Sequence, residues 1–139
     1  MIVETTVFPR YAETDQMGVV HHAVYPIWYE LGRGEYIRQL GLSYARLEAQ
    51  GIMTPLVDLH CRYQGAARYD EELIIATWMT AVTPSRVVFA FSIRHKGETI
   101  PFHTGESTLG WVDAQTFRPI NIKKRLPQFY QRMLETIER

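Results

Sequence analysis

The chain has 139 residues, 46% of them hydrophobic and 22% charged. That is the size and balance of one globular domain with a real core, not of two domains or of a disordered chain. Its 15 Lys and Arg offset its 15 Asp and Glu, so no global field draws in nucleic acid or an anionic membrane. An anionic ligand therefore needs a local cluster of positive charge. Cys61 is the single cysteine, which excludes an intramolecular disulfide and a Cys-rich metal site. The opening MIVETTVFPR carries no basic start followed by a long apolar run, so no signal peptide is expected. No stretch approaches the apolar length of a membrane span, and the reducing cytoplasm is the expected compartment.

Residues 2–8 are rich in β-branched side chains and predict a strand. The segment 10–25 is polar and turn-forming around Gly18. Residues 26–40 predict a helix: Pro26 suits its first turn, Tyr25, Tyr29, Gly32 and Tyr36 recur at helical spacing, and Gly41 can end it. Gly32 and Gly34 inside this helix cost about 1 kcal/mol each against alanine, so close approach of a sheet is expected there. A short helix over about 43–50 is capped by Ser43 and stopped at Gly51. Residues 56–65, 72–82, 86–95 and 101–112 then predict strands, separated at Thr83-Pro84-Ser85 and Lys96-Gly97-Glu98. Those four are expected to form a meander, and a closing helix follows around Pro127. The order implies an α+β fold in which a mostly antiparallel sheet buries one long helix.

The run Tyr11-Ala12-Glu13-Thr14-Asp15-Gln16-Met17-Gly18-Val19-Val20-His21-His22-Ala23-Val24-Tyr25, followed by Tyr29-Glu30 and Arg33, resembles the signature of the 4-hydroxybenzoyl-CoA thioesterase family, in its YbgC-like branch. The resemblance implies a hotdog fold, a sheet wrapped around a long central helix, and hydrolysis of an acyl thioester. It implies that Asp15 is the catalytic carboxylate, as nucleophile or as general base. It places the thioester carbonyl at the start of the helix, where unpartnered N–H groups and the helix dipole favour an oxyanion. His22, with Ala23 beside it, is the expected donor, and Gly18 turns the loop so that Asp15 faces the helix start, expected to be that of a neighbouring subunit. Without the resemblance, Asp15 reads as a turn residue and the adjacent His21 and His22 as surface or packing residues. No metal is expected. Glu30 reads equally as a second carboxylate or as an i,i+3 partner of Arg33.

Tyr25, Tyr29, Met53, Thr54 and Pro55 are the expected acyl-pocket residues. Arg86 and the run Lys123-Lys124-Arg125 are the expected contacts for coenzyme A phosphates, although such a run also reads as a solvated face. His60 and His103 are expected to be structural, and His95 solvated near a turn. No cofactor is expected, since coenzyme A enters as part of the substrate, and acyl carrier protein is an equally possible acyl carrier. Edge strands left by the sheet imply a homo-oligomer, at least a dimer, with a homotetramer built as a dimer of dimers expected. Two other readings exist. A hotdog enoyl-CoA hydratase uses an Asp–His pair, but Gln16-Met17-Gly18-Val19-Val20 lacks the Asn-Pro of that signature. A non-catalytic acyl-CoA or acyl-carrier-protein binding module has no need of Asp15 and Gly18.

Overall fold

A computed structural model describes residues 1–137. The long helix α1 spans Tyr25–Gln39 and α2 spans Tyr44–Ala49. Strand β1 is Ile2–Val7, β2 Ile52–Met53, β3 Leu56–Tyr63, β4 Leu73–Val82, β5 Arg86–His95, β6 His103–Gly110 and β7 Val112–Asp113. The chain closes with α3, Ile122–Arg125, and α4, Pro127–Thr136. Where one closing helix is expected, Leu126 breaks the run into two.

Helix α1 begins one residue earlier than its pattern suggests, with Pro26 second in the first turn. It ends as expected. Gly41 takes φ 87°, the Gly41 N–H reaches the Arg38 carbonyl at 3.0 Å, and the Leu42 N–H reaches the Ile37 carbonyl at 3.2 Å. These are the two bonds of a Schellman stop. Ser43 caps α2 by accepting the Arg46 N–H at 3.1 Å.

All pairings of the five-stranded sheet are antiparallel, in the order β1-β4-β5-β6-β3. The hotdog architecture is present, but the four long strands are not one meander. Strand β3 lies beside β6, and β1 takes the free edge of β4. Burial explains the order. Strand β4 hides Leu73, Ile75, Thr77 and Met79 under α1, whereas β3 carries Asp58, His60 and Arg62 and suits an edge. The strand expected over 101–112 also divides. Trp111 leaves the sheet for the core, and β7 turns aside to pair with β2.

Helix α1 lies against the sheet through aromatic and small side chains. Tyr29 stacks on Phe91 at 4.1 Å between centroids, and Tyr36 meets Phe89 edge-on at 5.5 Å. Gly32 explains itself: a Cβ there would collide with the Thr77 hydroxyl of β4. Gly34 does not, since a Cβ would meet only the Arg38 guanidinium at 3.8 Å. Close approach thus accounts for one of the two helical glycines.

Candidate active site

The segment after the 3₁₀ turn Tyr11–Glu13 folds as a tight hairpin. Thr14 and Val20 bridge its limbs, and the Asp15 N–H donates to the Val19 carbonyl at 2.9 Å. The Gly18 N–H returns to the Asp15 carbonyl at 3.0 Å, with Gly18 at φ 81°, a conformation glycine adopts without strain. The Asp15 carboxylate accepts the Met17 N–H at 2.8 Å through Oδ1. One oxygen locks the loop, and Oδ2 makes no hydrogen bond among the described residues.

Two contacts fix this hairpin to the rest of the molecule. The Val20 N–H donates to the Ala67 carbonyl at 2.8 Å. The buried Glu13 carboxylate accepts the Arg10 N–H at 2.8 Å and the indole N–H of Trp28, on α1, at 3.3 Å. Glu13 therefore ties the foot of the Asp15 loop to the helix that follows it. Its place in a polar run gives no sign of burial, so the sequence does not reveal this part.

The hairpin runs into the start of α1. The His21 carbonyl accepts the Val24 N–H at 3.0 Å, and His21 Nδ1 accepts the Ala23 N–H at 3.1 Å. Ala23 therefore has no free donor. The His22 N–H makes no hydrogen bond among the described residues, and His22 is exposed. Its carbonyl accepts the hydroxyl of Tyr63, the last residue of β3, at 2.7 Å. Burial and the neighbouring Cys61 thiol push Tyr63 up to about 12, so it remains a donor at neutral pH.

Beneath the helix start lies an aromatic column. His103, fully buried, stacks on Tyr25 at 4.2 Å, meets Tyr63 edge-on at 4.8 Å, and hydrogen-bonds the Tyr29 hydroxyl through Nε2. Burial lowers its pKa to about 4, so the ring is neutral in ordinary buffers. Burial also raises Tyr25 and, strongly, Tyr29. His103 is structural, as expected. His95 is not simply solvated: it lies half-buried against Phe102, with carboxylates of Glu71 and Glu98 at 3.2 and 3.6 Å.

The expected pocket residues divide. Tyr25 and Tyr29 are core, 2% and 0% exposed. Thr54 lines a polar cavity of about 290 Å³ with Glu30, Arg33, Tyr44, Glu48 and Leu109. Met53 pairs with Val112, and the Pro55 carbonyl accepts the Gly110 N–H at 3.0 Å. Among the described residues Arg33 makes no ion pair with Glu30; buried, it donates to Ser107 Oγ at 3.2 Å. The reading of Glu30 and Arg33 as an i,i+3 pair is thereby corrected: burial turns the guanidinium inward.

The expected phosphate contacts gather, but away from Asp15. The Ile122 N–H binds the Pro84 carbonyl at 2.9 Å, so Lys123, Lys124 and Arg125 sit beside the turn that precedes Arg86. Arg125 also donates to the Gln50 carbonyl at 3.1 Å. Arg86 pairs with Gly110 at one end of β6, whereas His103 at the other end stacks beneath the start of α1. Eight residues of strand put these ends about 23 Å apart. Within one chain these cations and Asp15 therefore belong to opposite ends of the sheet.

Residues 9–134 match the model of the thioesterase-like superfamily, and the chain belongs to that family. YneP of Bacillus subtilis (strain 168) is 34% identical over 121 residues, covering 87% of each chain. The acyl-CoA thioester hydrolase YbgC of Escherichia coli O157:H7 is 29% identical over 116 residues, covering 84% of this chain and 86% of its own. The crystal structure of a DHNA-CoA thioesterase from Staphylococcus aureus superposes with TM-score 0.92 at 36% identity, over 96% of this chain and 89% of that one. The signature read from the sequence and the family found by comparison agree. No helix among the described residues is long and apolar enough to cross a membrane.

Proposed function

We propose that the protein hydrolyses an acyl-CoA thioester to the free acid and the coenzyme A thiol. The observation that carries this reading is the unengaged His22 N–H at the start of α1, on the hairpin that presents Asp15. The thioester carbonyl accepts this N–H, and the helix start favours the negative charge that develops on its oxygen. Asp15 either adds to the carbonyl carbon or takes a proton from the water that does. The C–S bond then breaks, the thiolate leaves and is protonated, and water supplies the hydroxyl of the product acid. No cofactor is required, since coenzyme A is part of the substrate. The reading places the protein in the reducing cytoplasm, where its single cysteine stays a thiol.

This reading needs a second subunit. Strand β3 has one unpaired edge and leaves Leu56, Val57, Leu59 and Tyr63 between 39% and 50% exposed. An unpaired edge leaves a row of free backbone N–H and C=O groups, and with these apolar side chains between the charged ones it invites pairing. A two-fold axis that pairs two β3 strands antiparallel sets the Leu56 end of one beside the Tyr63 end of the other. It thereby carries the second subunit's Arg86, Lys123, Lys124 and Arg125 to the end that holds Asp15 and His22. Sedimentation equilibrium should return at least a dimer, and the expected assembly is a dimer of dimers. An active monomer at assay concentration would refute the shared site.

The oxyanion role is tested at His22 itself. His22→Ala keeps the main-chain donor and should retain most activity, with a moderate loss if the ring assists. His22→Pro removes the N–H and should cost about 10²–10³ in rate. Circular dichroism and sedimentation confirm that both variants fold and assemble. A His22→Pro protein as active as wild type would remove the oxyanion site from this residue.

A further inference from the structure

The hydrogen bond from Tyr63 to His22 has a consequence beyond packing. In a regular helix the carbonyl of residue i accepts the N–H of residue i+4. The fourth residue after His22 is Pro26, which has no N–H. His22 also lies two residues before the N-cap Val24, so its carbonyl stands outside the helical ladder, and among the described residues its N–H makes no hydrogen bond. Neither peptide group of the residue is tied down by the helix it precedes. The bond that holds it is the one from the Tyr63 hydroxyl, at 2.7 Å.

Tyr63 is well placed to hold it. Its ring meets Tyr25 edge-on at 5.3 Å and His103 edge-on at 4.8 Å. Both of those side chains are buried, so one side of the ring rests against the core while its hydroxyl reaches the loop. We propose that Tyr63 is a positioning residue for the hydrolysis: by anchoring the His22 carbonyl it fixes the backbone of His22 and aims the His22 N–H at the thioester oxygen. It touches neither the reacting atoms nor Asp15. Because Tyr63 ends the edge strand β3, the bond also links the edge of the sheet to the helix start. The inference rests on His22 N–H being the oxyanion donor.

The test is a double-mutant cycle read in steady-state hydrolysis of one acyl-CoA by the full-length protein. Tyr63→Phe keeps the ring and its edge contacts and removes only the hydroxyl, so the fold and its assembly should persist. Loss of one neutral hydrogen bond that orients a catalytic donor should lower kcat by about 5- to 10-fold, with KM changed less than about twofold because uniform binding is untouched. In a His22→Pro background the donor is already gone, so adding Tyr63→Phe should cost nothing further; residues that act through one another are not additive. A wild-type kcat for Tyr63→Phe, or an undiminished loss in the His22→Pro background, would overturn the positioning role. Failure of the underlying reading looks different: His22→Pro alone would then be fully active.

Discussion

Asp15→Asn should lower thioester turnover by about 10²–10⁴, the range of a positioned acid–base group, without disturbing the loop. The geometry makes this substitution clean. Oδ1 accepts the Met17 N–H, and asparagine keeps that oxygen. The change falls on the other position, where an amide nitrogen can neither attack a carbonyl nor take a proton from water at a useful rate. Asp15→Ala is a poorer probe, because it removes the acceptor that closes the turn together with the chemistry. Thiol release followed spectrophotometrically, with circular dichroism as the control, checks the expectation. Near-normal turnover by Asp15→Asn would move the chemistry elsewhere, to Glu30 first, since it lines the polar cavity beside Thr54.

The second large effect is structural. Gly105→Ala should destabilise the fold by about 3 kcal/mol, the upper part of the range for overpacking. A Cβ at this position of β6 would run into the hydroxyl and ring of Tyr29. Tyr29 has nowhere to go: it is fully buried, stacked on Phe91 and hydrogen-bonded to His103. Strain there is felt directly beneath the start of α1, so activity should fall with stability. A urea midpoint equal to that of wild type would show that α1 does not sit on the sheet as described. Gly34 is the natural contrast, since the nearest atom to an added Cβ is the flexible end of Arg38.

What the sequence reveals about this molecule follows from how local each feature is. The hairpin around Asp15 and Gly18 is legible because its turn residues and its pattern lie within a dozen positions. The Schellman stop at Gly41 and the Ser43 cap are legible for the same reason. Strand order is not, since alternation tells which side chains share a face and says nothing of which strand lies next door. That is why β3 is expected beside β4 and is found beside β6. The parts of the site that escape are those made by distant segments. Glu13 is a charged residue in a polar stretch until Trp28 covers it. Tyr63 is one more strand aromatic until its hydroxyl meets His22. The basic run 123–125 is visible as charge, but only the sheet shows that it lies at the far end from Asp15 in its own chain.

Thioester hydrolysis is tested most directly by incubating the purified protein with a panel of acyl-CoA esters, short and long aliphatic, aromatic, and one trans-2-enoyl ester, with free thiol and product acid both quantified. Thiol should be released in equal amount to acid from at least one ester, with the enoyl double bond left untouched. Binding without thiol release from any ester, or hydration of the double bond with the thioester intact, would contradict it.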